Sequence, residues 1–158
     1  MTGPRCNVLF VCTGNTCRSP LAEAVCKRLL ADRLGCSPAE LAQHGFVVGS
    51  AGVMAFPGQE ASPGAVVAAN ELGAELTRHR SRPVEPHLLE AATHVIAMTD
   101  GHRAYLEARF PHLGPPAVLL ADGSDLPDPI GGDADEYRAC ARMIADHLSR
   151  FITGWLGS

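Results

Sequence analysis

The chain is poor in lysine: Lys27 is the only one among 158 residues, and the other cations are arginines spread without a basic run. Asp and Glu outnumber Lys and Arg 17 to 13, for a net charge of −4. That balance offers no electrostatic footprint for nucleic acid or an anionic membrane. Long apolar runs are missing as well, and none approaches the roughly 20 residues a membrane helix needs. The first apolar segment, Asn7 to Val11, is too short for a secretory signal core and lacks a small-residue cleavage site, so a cytoplasmic protein is expected. There is no C-x2-C and no histidine pair at ligand spacing on one helix face, so neither metal nor cofactor is expected. Repeats and low-complexity tracts are absent too.

What is present describes an ordinary globular protein, 46% hydrophobic and 19% charged. Its length fits a single domain, residues 1–158, with a core large enough to stand without cross-links. The six cysteines (Cys6, Cys12, Cys17, Cys26, Cys36 and Cys140) are therefore read as free thiols, not three disulfides. A monomer is expected.

Strand and helix signals alternate along the chain. Asn7–Val11 is a continuous apolar run, as in a strand covered on both faces. Turn residues Thr13–Thr16 follow, and Pro20 suits the first turn of a helix reaching about Leu34, with Leu21, Val25 and Leu29 as its buried stripe. A second strand is predicted at Phe46–Ser50. Ser62-Pro63 opens a helix that turns Val66, Val67 and Leu72 to the core and stops at Gly73. Pro86–Ala92 reads as a short helix, His94–Met98 as a third strand, Thr99–Phe110 as a helix and Ala117–Leu120 as a fourth strand. After a loop over 122–132, Asp133 and Glu136 start a last helix whose stripe is Tyr137, Cys140, Ile144, Leu148, Phe151, Ile152 and Trp155. The pattern predicts an α/β fold: a three-layer sandwich whose four-stranded parallel sheet is flanked by helices, with sites at the carboxyl ends of the strands.

One such end carries the segment Cys12-Thr13-Gly14-Asn15-Thr16-Cys17-Arg18-Ser19-Pro20. A loop between a strand end and a helix start gathers backbone N–H groups into an anion-binding hollow. Gly14 and Asn15 suit the unusual dihedrals such a loop requires. Arg18 brings a planar fork that grips two phosphate oxygens. Amides and an arginine around a thiol stabilise its anion, so Cys12 is placed to attack a bound phosphorus atom, with Ser19 donating to the sulfur. Thr13, Gly14, Asn15, Thr16, Cys17, Arg18 and Ser19 form the phosphate-binding loop. The leaving group then needs a proton. The acidic loop offers Asp122, Asp125, Asp128, Asp133 and Asp135. Asp133 reads as a helix cap, and Asp128 stands out through its flanking Pro127 and Pro129 and the adjacent Gly131-Gly132.

Val11 to Pro20 closely resembles the signature of the low-molecular-weight protein tyrosine phosphatases. Ser50-Ala51-Gly52, Val95 to Met98 and Asp128-Pro129 extend the likeness over nearly the whole chain. The resemblance implies a phosphocysteine intermediate on Cys12, phosphoryl binding by Arg18 and general acid catalysis by Asp128. It also implies a phosphorylated protein or peptide as substrate, a reversible disulfide between Cys12 and Cys17, and a bracing bond from Ser50 to Asn15. Tyrosine-specific members carry an aliphatic residue at the Thr16 position and aromatic residues after Asp-Pro, where this chain has Ile130 and Gly131. The threonine resembles the protein arginine phosphatase branch, which makes Thr16 and Ile130 the expected specificity positions and phosphoarginine the expected substrate, with phosphotyrosine the alternative. Thioredoxin-linked arsenate reductases share the loop, but they need two more cysteines near the third strand, and residues 73–98 contain none. A non-catalytic phosphate-binding module would not need the acidic loop. His79, Ser81, Arg78, Arg80 and Arg82 read as a solvated or docking surface, and Trp155 as core.

Overall fold

The computed structural model describes residues 3–157. Strand β1 (Cys6–Cys12) leads to helix α1 (Arg18–Leu34), and a 3-10 helix (Pro38–His44) returns to β2 (Phe46–Gly52). Then come α2 (Pro63–Glu71), α3 (Pro86–Ala91), β3 (His94–Ala97), α4 (Asp100–Arg109), β4 (Val118–Leu119) and α5 (Ala134–Gly157). The four strands run parallel in the order β2-β1-β3-β4. The chain winds from β1 to β2 on one side and from β3 to β4 on the other. The carboxyl ends of β1 and β3 therefore flank the switch point where open parallel sheets bind ligands.

Alternation along β1 builds both faces. Val8 and Phe10 join the larger core with Leu21, Val25, Leu30, Ile144, Leu148 and Ile152 of α1 and α5. Leu9 and Val11 point the other way, against Leu89, Val95 and Leu106. The expected sandwich is what the chain adopts.

Local differences have physical causes. Helix α1 begins at Arg18, which puts Pro20 in its first turn as expected, and the fourth strand shortens to Val118–Leu119. The 3-10 helix was not anticipated, although Ser37 and Glu40 close a reciprocal capping box at its start. The largest revision concerns α2. Val67 and Leu72 are 51% and 38% exposed, and Val66 is only partly buried, while Ala65, Ala68 and Ala69 make the buried stripe. These alanines occupy i, i+3 and i+4, a helical face that larger neighbours obscured. Their small size brings α2 close to α5: a Cβ on Gly64 would sit 2.5 Å from the Tyr137 ring. In α5 the expected stripe is buried except Phe151, which is partly so.

Leu148→Ala should therefore cost about 2–5 kcal/mol of stability. Val67→Ala should change it by no more than about 0.5 kcal/mol, both read from urea denaturation midpoints.

Candidate active site

The loop after β1 turns on Asn15, which is fully buried and left-handed, with φ of 56°. Asparagine tolerates this region better than most residues, and here it carries the positive φ while Gly14 does not. Its side chain explains the choice. Nδ2 donates to Ser19 Oγ at 2.8 Å and to Ser50 Oγ at 2.9 Å. Oδ1 accepts the Arg82 backbone N–H at 3.0 Å, and the Asn15 carbonyl receives His79 Nε2 at 2.7 Å. Ser50 passes its own proton to Glu23, 2.6 Å away, which Lys27 neutralises at 2.7 Å. The Ser50 brace implied by the family resemblance is thus present in the geometry. The loop also lies against β2, where a Cβ on Gly52 would collide with the Thr13 carbonyl oxygen and stand 2.9 Å from the Asn15 nitrogen.

The Cys12 sulfur is buried and lies 2.8 Å from Ser19 Oγ. A serine hydroxyl has one hydrogen. Because Asn15 already donates to that oxygen, the serine proton is left free for the sulfur, which suits a thiolate.

Arg18 is buried and reaches the acidic loop with two nitrogens. One donates to the Leu126 carbonyl at 3.0 Å, and the other meets Asp128 Oδ2 at 3.3 Å. The loop is fastened further by Leu126 N–H to the Met98 carbonyl and by Asp100 N–H to Asp125 Oδ1. Asp128 is half-exposed, and its other oxygen accepts the Ile130 N–H at 3.1 Å in a tight turn. Ile130 itself is 62% exposed. Asp133 caps α5 by accepting the Glu136 N–H, as expected, while Asp122 and Asp135 lie on the surface.

Thr16 is half-buried on the loop, and its hydroxyl has no hydrogen-bond partner among the described residues. Cys17 is buried behind the loop, 3.2 Å from Ser62 Oγ and 3.4 Å from the Tyr137 hydroxyl. Ser62 thus serves the thiol and makes no side-chain cap on α2. Burial above all holds the Cys17 thiol above its ordinary range. All six cysteines are free; Cys140 lies beneath the acidic loop, with its thiol pushed up to about 12 by burial.

Two groups of residues escaped the sequence reading. Part of the segment expected to be a solvated patch is a brace: Ser81 is 3% exposed, and His79 and Arg82 bind Asn15 directly, while Arg78 and Arg80 are exposed as expected. Arg82 also donates to the Ser50 carbonyl at 2.9 Å. No motif announces contacts across more than sixty residues. The other is His102, 6% exposed on the first turn of α4, with Nε2 at 2.8 Å from Thr13 Oγ1. Burial, then the Arg18 charge, pushes its imidazole down to about 4 from 6.5, against the opposing pull of Asp125 and Asp128.

A thiol, an arginine and a carboxylate converging at the sheet's switch point match what comparison with known proteins returns. Residues 7–154 match the family described as low molecular weight phosphotyrosine protein phosphatase. The chain belongs to that family. Two relatives named protein-arginine-phosphatase come from Geobacillus stearothermophilus and Bacillus subtilis (strain 168). The first is 40% identical, covering 90% of this chain and 91% of the relative, and the second is 39% identical, covering 84% and 85%. A solved structure of the YwlE arginine phosphatase, a cysteine-to-serine mutant with a phosphorylated active-site serine, superposes with a TM-score of 0.81 at 35% identity over 94% of each chain. The chain is accordingly a cysteine-dependent protein phosphatase.

Asn15→Ala strands two serine hydroxyls and the Arg82 amide, so it should cost about 1–3 kcal/mol and lower kcat on p-nitrophenyl phosphate at least tenfold. For His102 the folded chain resists a proton that the unfolded chain accepts. Its contribution to stability is complete above about pH 6.5 and is lost as pH falls toward about 4. The gap in urea midpoint between wild type and His102→Gln should shift in favour of the variant across that window.

Proposed function

We propose that this phosphatase hydrolyses phosphoarginine in proteins, with Cys12 as nucleophile, Arg18 as phosphoryl clamp and Asp128 as general acid. The observation that supports the reading is that the loop holding Cys12 also holds Arg18, whose guanidinium meets the Leu126 carbonyl and Asp128.

The Cys12 thiolate attacks phosphorus, and the bond from phosphorus to the guanidino nitrogen breaks. Asp128 supplies the proton that the departing nitrogen needs. The phosphoryl group, now on sulfur, keeps the amides of residues 13–18 and the Arg18 guanidinium as its counter-charge. Asp128, now a carboxylate, takes a proton from water as that oxygen attacks phosphorus. The S–P bond breaks, giving inorganic phosphate and the restored thiolate. While the pocket is empty, Asp128 and the Leu126 carbonyl occupy the Arg18 nitrogens that a phosphoryl group would engage.

Three features favour phosphoarginine over phosphotyrosine. The Thr16 hydroxyl, without a hydrogen-bond partner among the described residues, offers hydrogen bonding to a planar, polar guanidino group. Asp128 offers it a carboxyl group that can accept an N–H through one oxygen and give its proton through the other. Ile130 leaves an open aliphatic wall where an aromatic sandwich would suit a phenyl ring. The relatives named protein-arginine-phosphatase support the same assignment. Cys17, five residues from Cys12 on the same loop, is the candidate resolving partner for an oxidised Cys12.

Cys12→Ser should abolish turnover, and Asp128→Ala should lower kcat by about 10²–10⁴. On matched peptides the wild type should favour phosphoarginine in kcat/KM, and Thr16→Ile should move the balance toward phosphotyrosine. Equal preference in the wild type would sink the substrate assignment and leave the phosphatase intact.

A further inference from the structure

We infer that Met54 and Phe56 form an apolar docking shelf for the substrate polypeptide, receiving a large apolar side chain within about three positions of the phosphorylated residue. The inference rests on the reading of this chain as a protein phosphatase acting on phosphoarginine, and extends it from the phosphorylated side chain to the sequence around it.

Exposed apolar side chains are ordinary when scattered singly and informative when they gather. Among the described residues, the large apolar side chains with the greatest exposure are Met54 and Phe56, at 72% each, and Ile130, at 62%. Val67 follows at 51%. The first three all stand on the two loops that flank the Cys12 loop. Residues 53–58 continue from the carboxyl end of β2, and residues 122–132 follow β4. In the strand order β2-β1-β3-β4, one of these loops lies on each side of the nucleophile. Along residues 53–56 exposure alternates: Val53 and Ala55 are partly covered, with Val53 packed against the smaller core, while Met54 and Phe56 are exposed. The two large side chains are thus turned to solvent together.

The backbone beneath them is fastened. Val53 N–H donates to the Cys12 carbonyl and Met54 N–H to the Thr13 carbonyl, both at 2.9 Å. The buried Ser81 holds the far side. Its hydroxyl donates to the Phe56 carbonyl and accepts the Gln59 N–H at 2.9 Å. Its carbonyl accepts the Gly58 N–H and its own N–H donates to the Gln59 carbonyl, each at 2.8 Å. A backbone held this way loses little freedom when a partner covers it. Glu60 and Arg80, next to Gln59 and Ser81, meet at 3.8 Å and leave the shelf without a net charge, which suits an apolar partner. A phosphorylated side chain inserted toward Cys12 leaves its own main chain at the rim. Extended polypeptide advances about 3.3–3.6 Å per residue, so neighbours within about three positions sweep about 10 Å around the crevice. Met54, bonded through its backbone to the residue after the nucleophile, lies inside that reach. The occupant is the polypeptide that carries the phosphorylated residue.

The test measures kcat/KM on phosphoarginine peptides that differ only in the residues around the phosphorylated position, leucine and phenylalanine in one set and glycine and serine in the other. Phosphotyrosine peptides with the same flanks run in parallel. The enzymes are wild type, Met54→Ser, Phe56→Ser, the double variant Met54→Ser/Phe56→Ser, and Val67→Ser as an exposed apolar control. Wild type should favour apolar flanks about tenfold, the worth of covering one large apolar side chain. That preference should weaken in each single variant, fall to within about twofold in the double variant, and keep its wild-type value in Val67→Ser. The loss should appear in KM more than in kcat, because docking precedes the chemistry. A wild type indifferent to its flanks, or a preference that survives the double variant, would overturn the shelf. So would a wild-type dimer that Phe56→Ser turns into monomers at assay concentration, measured by sedimentation, since the patch would then belong to a second copy of the chain. A wild type that favours apolar flanks on both sets of peptides yet prefers phosphotyrosine overturns the phosphoarginine assignment and upholds the shelf. A preference for phosphoarginine without any effect of the flanks overturns the shelf alone.

Discussion

The side-chain amide of Asn15 gives one hydrogen to Ser19 and the other to Ser50, while its oxygen receives the Arg82 amide and its backbone carbonyl meets His79. With all of these bonds made in a fully buried position, the left-handed conformation costs little relative to any alternative, because abandoning it would strand several polar groups at once. The consequence travels outward in short steps. Ser19 Oγ, already accepting from Asn15, keeps its one proton for the Cys12 sulfur 2.8 Å away. The loop is thus held in its conformation by bonds from outside it, to Ser50, His79 and Arg82.

Charge is handled with equal economy. Arg18 is buried, and a buried cation needs partners. In the empty site these are the Leu126 carbonyl and Asp128, both on the acidic loop. The same contacts that satisfy the arginine also fasten the acidic loop to the loop that carries Cys12. His102 stays uncharged beside this cluster, which keeps the local balance on the side of one cation and two nearby carboxylates.

The sheet decides where all this happens. The strand order β2-β1-β3-β4 makes the chain reverse direction between β1 and β3, opening a crevice at their carboxyl ends. The Cys12 loop enters from one side and the loop containing Leu126 from the other, joined through Met98. Gly52 lets the first loop press onto β2, and Gly64 lets the Tyr137 ring pass close to α2, with its hydroxyl within reach of Cys17.

The loop shared by Cys12, Arg18 and Ser19 and the acidic loop around Asp128 were legible in the chain itself, because each is a contiguous segment marked by its own prolines and glycines. The alternation of strands and helices was legible for the same reason, since periodicity records which face meets the core. Bulk misled the reading of α2, where three alanines rather than the neighbouring valine and leucine face inward: burial depends on how closely two helices approach, and that distance belongs to the pair. The roles of His79, Arg82 and His102 lay beyond sequence reasoning. Each touches the loop across 64 to 89 positions, through single hydrogen bonds whose partners only the folded sheet brings within 3 Å. The sequence by itself determined the reactive loop and the order of elements; the tertiary structure decided which distant side chains surround that loop, because hydrogen bonds require proximity that chain order does not encode.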